Sequence, residues 1–168
     1  MAVEVTKNLD RFVEKVNKEV LRVKQVVGEK FVINARESVS QSVYGRQVYE
    51  VRRDKDGNVT SKTPRDRRAW ELTGNLLSSI GYTIVHQGKV LQKYETSKMG
   101  GSKGKQEGES HGRSLALEVG DSGIIANAGM SYAAAVESKG YDVITESTKT
   151  LQKDYDRMIE RALKAMAQ

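Results

Sequence analysis

The stretch TSKMGGSKGKQEGESHGRS, residues 96–114, holds five glycines, charges of both signs and a single large apolar side chain, Met99. It offers no face that could bury against a core, so it reads as a loop, functional or mobile. That reading divides the chain. Before it, GYTIVHQ (81–87) and KVLQKYE (89–95) alternate as two strands joined at Gln87-Gly88. After it, LALEVG (115–120) and GIIANAG (123–129) read as two more, on either side of Gly120-Asp121-Ser122-Gly123. Their β-branched content and turn residues predict a small antiparallel sheet of about four strands.

Outside the strands the periodicity changes to helical. Phe12, Val16, Val20, Val23, Val27, Phe31 and Ala35 recur at steps of three and four, which predicts one long amphipathic helix over residues 5–38 with Thr6 or Asn8 as its N-cap. Such a helix is longer than a small domain is wide, so one end should protrude or pack on a neighbouring subunit. RDRRAWELTGNLLSSI (65–80) carries Trp70, Leu72, Leu76, Leu77 and Ile80 and predicts a further two or three turns. SYAAAVESKGYDV (131–143) is a compact small-residue turn of helix stopped at Gly140. A last helix follows, capped by Thr145 or Ser147, with Leu151, Tyr155, Met158, Ile159, Ala162, Leu163 and Met166 on one face. The expected class is α+β: the long first helix and the last helix packed on one face of the sheet. At 168 residues this makes a single domain, with its core in 63–95 and 115–168.

GRQVYEVRRDKDGNVTSK, residues 45–62, alternates on both sides of Asp56-Gly57, which suits a hairpin turn. It is polar on both arms, so residues 47–62 are expected to project as a β-hairpin. Charge gathers there. The net charge is +6, and residues 1–70 hold 16 Lys/Arg against 10 Asp/Glu, whereas residues 71–168 hold 12 of each. Arg46, Arg52, Arg53, Arg65, Arg67 and Arg68 are the densest group. Planar guanidinium donors suit phosphates or a carboxylate-lined partner, and a solvated surface is the plain alternative.

Catalytic chemistry finds little to use. With no cysteine, thiolate nucleophiles, disulfides and cysteine zinc sites are excluded. His86 and His111 have no partner at metal-binding spacing. The glycine-lysine stretch fails the P-loop test, because the position of the second glycine is Lys105 or Gln106, and no GxGxxG occurs. Ser78 and Ser79 lack a GxSxG elbow. Neither an enzyme nor a cofactor is expected. No apolar run is long enough to span a bilayer and the N-terminus lacks a signal-peptide pattern, so synthesis in the cytoplasm and no membrane partner are expected.

LTGNLLSSI (72–80) and GIIANAGMSYAAAVESKGYDV (123–143), in that order and followed by one long helix, resemble the tail completion or head-tail joining proteins of siphophages, the gp-ten-like family related to the lambda Z tail protein. The likeness rests on Thr73, Gly74, Asn75, Leu76, Ser79 and Ile80 with Pro64 upstream, then on Tyr132, Ala133, Val136 and Glu137, and it spans about residues 63–168. The chain departs from the pattern at Ser138-Lys139-Gly140-Tyr141, where an aromatic and Gly-Thr are usual. The resemblance implies a structural protein of the virion neck, made in the host bacterial cytoplasm. It would act in a homo-oligomeric ring by contacts with a stopper or adaptor ring, a tail terminator or the tail tube. On that reading the contact residues for partner or DNA are the six arginines, Lys98, Lys103 and Lys105 in the glycine-rich stretch, and Glu137, Lys139 and Tyr141 at a surface corner. A nucleic-acid-binding protein using Arg46–Arg68 is the alternative, and it predicts a steep loss of affinity with salt.

Overall fold

The computed structural model describes residues 2–42, 48–54, 59–65, 74–98 and 100–166. Helix α1 (Ala2–Ser42) leads to strands β1 (Val48–Arg53) and β2 (Val59–Arg65). A short helix α2 (Asn75–Ser79) precedes the hairpin β3 (Ile80–His86) and β4 (Lys89–Lys93). Helix α3 (Ser102–Ala116), strand β5 (Ser122–Ala128), helix α4 (Ala133–Glu137) and helix α5 (Thr145–Met166) follow. The class is α+β, with long helices at both ends of the chain and a three-stranded antiparallel sheet in the order β4-β3-β5.

β3 is the centre of the molecule. Its residues from Ile80 to Val85 are all buried, although only alternate side chains share a face. The reason is that both faces are covered. Tyr82 points to α1, where its ring lies so close to Gly28 that an added Cβ would stand 2.6 Å from it. Thr83 points the other way and meets Gly112 of α3. The expectation of a sheet covered on one face is therefore corrected: α1 lies on one side and α3 on the other. The principal partner of α5 is α1, not the sheet.

The second face exists because the segment expected as a loop over 96–114 is a helix from Ser102 onward. α3 contains Gly104, Gly108, Gly112 and Ala116 at every fourth position, and these four are its buried residues. Glycine costs a helix roughly 1 kcal/mol per residue relative to alanine, so this helix is weak in isolation. What it gains is approach. A Cβ on Gly104 would overlap the Asn75 carbonyl, and one on Gly108 would lie 2.6 Å from the Ser79 carbonyl. The helix backbone thus rests directly on α2 and β3.

The α2 residues hold its entry. Asn75 accepts the Gly104 amide on Oδ1 at 3.0 Å, and Ser78 donates to the Gly100 carbonyl at 2.8 Å while accepting the Ser97 amide at 2.8 Å. Under the glycine face lies a buried polar cluster. Tyr94 donates its hydroxyl to Asn127, and Gln92 donates to the Glu109 carbonyl of α3 at 2.8 Å. Because α3 runs through Leu115 and Ala116, LALEVG is helix end and turn, not a strand. Among the described residues the sheet accordingly has three strands where about four were expected.

α1 is longer than expected, 41 residues or about 60 Å, so Thr6 and Asn8 are inside it and not caps. Its stripe divides in two. Val23, Val27, Phe31, Ala35 and Val39 are at most 2% exposed, and the last three enter the core cluster with Leu76, Ile80, Val136 and Val143. Phe12, on the same stripe, is 54% exposed. The two halves differ because α5 is shorter and antiparallel: Lys30 pairs with Asp154, and Met166 in the last turn of α5 reaches only the level of Lys15 and Glu19. The turns before Lys15 extend roughly 20 Å past it.

β1 and β2 pair antiparallel from Val48↔Arg65 to Arg53↔Val59, with a register shift at Arg52/Arg53. The expected Asp56-Gly57 turn and the helical turn around Trp70 and Leu72 lie outside the described residues. At Gln87-Gly88 both φ angles are positive, 51° and 70°, as a tight two-residue hairpin requires.

Candidate interaction surfaces

Of the six arginines expected to cluster, Arg46, Arg67 and Arg68 lie outside the described residues. Arg52 and Arg53 are on β1. Arg65 is opposite Val48 across the ladder, four residues from Arg52, or about 13 Å along the strand. The ladder therefore places Arg65 at one end and Arg52-Arg53 at the other.

Two of the three lysines expected in a mobile loop are on helix α3. Lys98 is exposed before α3, while Lys103 and Lys105 stand on its outer side, 3.7 Å from Glu107 and 3.8 Å from Glu109. These exposed pairs add little to stability, but they offset the positive charge that a phosphate-binding strip would need. His111 is on the same helix, 3.4 Å from the Asn127 amide nitrogen.

Glu137, Lys139 and Tyr141 do not form a common outward corner. Glu137 turns inward, and its Oε1 accepts the amides of Val143 (3.2 Å), Ile144 (2.9 Å) and Thr145 (3.1 Å) and the Thr145 hydroxyl (2.9 Å). Asp142 completes the arrangement. Its Oδ1 accepts the Glu146 amide at 3.0 Å and its Oδ2 the Ser38 hydroxyl of α1 at 2.7 Å. The first turn of α5 is thus capped by two carboxylates from the preceding segment, where the sequence suggested Thr145 or Ser147. Burial alone would raise the Glu137 pKa, and the bonds from Ile144, Thr145 and Val143 outweigh it, holding the carboxyl below its usual range. Tyr141 is half-buried against the core, so Lys139 is the one member left at the surface.

Two features escaped the sequence reading. Lys24, on the apolar side of α1, is 2% exposed and donates to the Val85 carbonyl at 3.0 Å and the Ser122 hydroxyl at 2.7 Å. Burial pushes its pKa down. Together with desolvation, its charge keeps the His86 imidazole below its normal pKa. In the sequence Lys24 is one of many lysines, and only the register of β3 and β5 gives it acceptors.

The second feature is exposed apolar surface on the N-terminal turns of α1 and at the β3–β4 turn end of the sheet, the end toward which those turns run, since Arg36 meets Ile80 and Lys24 meets Val85. Leu9, Phe12 and Val13 are 62%, 54% and 50% exposed on the overhang of α1. Leu117, Val119 and Val90 are exposed at the β3–β4 turn end of the sheet. Between α1 and α5 runs an open groove of about 620 Å³, lined by Lys15, Glu19, Arg22, Met158, Arg161 and Met166. Among the described residues no group of three His, Cys, Asp or Glu side chains could hold a metal ion. None of the described helices is long and apolar enough to cross a membrane.

No protein-family model matches the chain. No curated protein and no solved structure matches it either.

Proposed function

We propose that this chain is a structural component of a tailed-phage virion, acting in head-tail joining or tail completion at the neck by protein–protein contacts and without turnover. The observation that carries the reading is the overhang of α1. A helix that leaves its own body for roughly 20 Å with Leu9, Phe12 and Val13 half or more exposed is built to be covered by something else. The resemblance of 63–168 to siphophage tail completion proteins supplies the setting, a homo-oligomeric ring against a stopper, adaptor or tail-tube neighbour. The β1–β2 ladder is the projecting arm of this assembly. Two residues that carry the resemblance have structural work compatible with such a role: Asn75 holds the start of α3, and Glu137 caps α5.

Electron microscopy of a lysate from phage lacking the gene tests the reading. Filled heads beside separate, full-length tails are the expected result. Normal virions, or empty heads alone, overturn it, and salt-dependent binding to DNA through the Arg46–Arg68 region is then the reading to measure.

A further inference from the structure

β4 and β5 are both edge strands among the described residues, and they are built differently. β4, KVLQK, is five residues long with a lysine at each end, a common guard against pairing with another chain. β5, SGIIANA, is seven residues long, with no charged side chain and no proline. Its Ile124 and Ile125 are only half-buried. β5 pairs with β3 along its whole length, so its remaining amide and carbonyl groups face away from β3 with no described strand beside them. Such an edge is a template for one more strand.

β1 and β2 pose the opposite problem. They pack on each other, and no other described element makes more than a marginal approach to either. A two-stranded ladder alone is at best marginally stable in water. Among the described residues one chain therefore carries an arm with little to lie on and a sheet edge with no strand beside it, and the two make no substantial contact with each other. Their charges complement each other. Residues 48–65 contain Arg52, Arg53, Lys55, Lys62 and Arg65 against Glu50, Asp54 and Asp56, a net of +2. The charges just before β5 are Glu118 and Asp121, both exposed and in no ion pair among the described residues.

We infer that the β1–β2 arm of one copy adds to the free edge of β5 in a neighbouring copy. This rests on the reading of the protein as an assembling component, and deepens it by naming a second copy as the partner and a main-chain ladder as the contact. Arm and edge are different surfaces, so the contact repeats head to tail and closes into a ring where its rotation permits.

Sedimentation of the full chain at roughly 100 μM tests this directly, since a ladder contact of ordinary strength is populated at that concentration. The full chain should sediment as more than one copy. A variant with 48–65 replaced by a Gly-Ser linker should be monomeric. In that variant the β5 amides should lose roughly tenfold or more of their hydrogen-exchange protection while β3 keeps its own, which also shows that the fold survives. Glu118→Lys combined with Asp121→Lys leaves both strands intact and should weaken association several-fold; it decides the matter if the arm deletion does not fold. A monomeric full chain, or association unchanged in these variants, overturns the inference. Unattached tails in the gene-deleted phage alongside a monomeric chain would reject this contact and keep the proposed function. Arm-dependent association alongside normal virions would do the reverse.

Discussion

α1 and α3 clasp the same strand from opposite sides by opposite means. α1 inserts large side chains: Val23, Val27, Phe31 and Val39 fill the space between its axis and the sheet. α3 inserts almost nothing, and its glycines let its backbone stand where side chains would otherwise be. On the first face stability comes from apolar area removed from water. On the second it comes from close backbone packing and from hydrogen bonds such as those of Gln92 and Asn75 to α3. Substitutions that change size should therefore act with opposite sign on the two faces.

The largest effect is expected from removing volume on the α1 side. Phe31→Ala empties a position 2% exposed at the middle of the core and should cost about 3–5 kcal/mol in urea unfolding. A loss under about 1 kcal/mol would mean that α1 is not packed on β3 as described. Adding volume on the α3 side comes next. By helix propensity Gly104→Ala should stabilise the protein by about 1 kcal/mol, yet the new methyl would overlap the Asn75 carbonyl. The collision dominates, and a net loss of roughly 1–3 kcal/mol is expected. A gain would show that the helix backbone does not lie on α2.

The same contrast explains what could be read from the sequence. α1, α5, the β3–β4 hairpin and β5 announce themselves through apolar side chains at helical or alternating spacing, because side chains do their packing. α3 was opaque because its buried face is made of absences: Gly104, Gly108 and Gly112 score as loop formers, and nothing apolar marks their period of four. That misreading also turned Leu115 and Ala116 into a fourth strand. Glu137 failed for a different reason. A glutamate after a run of alanines reads as surface, and its role depends on the chain reversing at Gly140, where φ is 82°, to bring Val143–Thr145 back to it. The buried position of Lys24 depends in the same way on the pairing of β3 with β5.

Glu137 gives the third expected effect. Glu137→Gln keeps the shape of the side chain but replaces charge-assisted bonds to the first turn of α5 with weaker ones, at a cost of about 1 kcal/mol at neutral pH. Its folded pKa is depressed, so its contribution is fully present above the ordinary glutamate pKa and disappears as pH falls through the lower, folded value. The difference between wild type and Glu137→Gln should therefore be constant from neutral pH down to the carboxylate range and shrink below it. Unfolding curves at a series of pH values check this. A difference that persists unchanged in strong acid would separate the stability effect from the charge.

The smallest effect is expected within α1 itself and sharpens the comparison most. Phe12 and Phe31 occupy the same stripe of one helix, nineteen positions apart, and the sequence treats them alike. Phe12 lies beyond the reach of α5 and is 54% exposed, so Phe12→Ser should change the stability of a single chain by no more than about 0.5 kcal/mol. Any loss should appear in assembly, as fewer tails joined to filled heads in a phage carrying the substitution. A variant that is both as stable as wild type and fully infectious would mean that nothing depends on covering the overhang. A variant that unfolds as readily as Phe31→Ala would mean that the stripe is buried along its whole length.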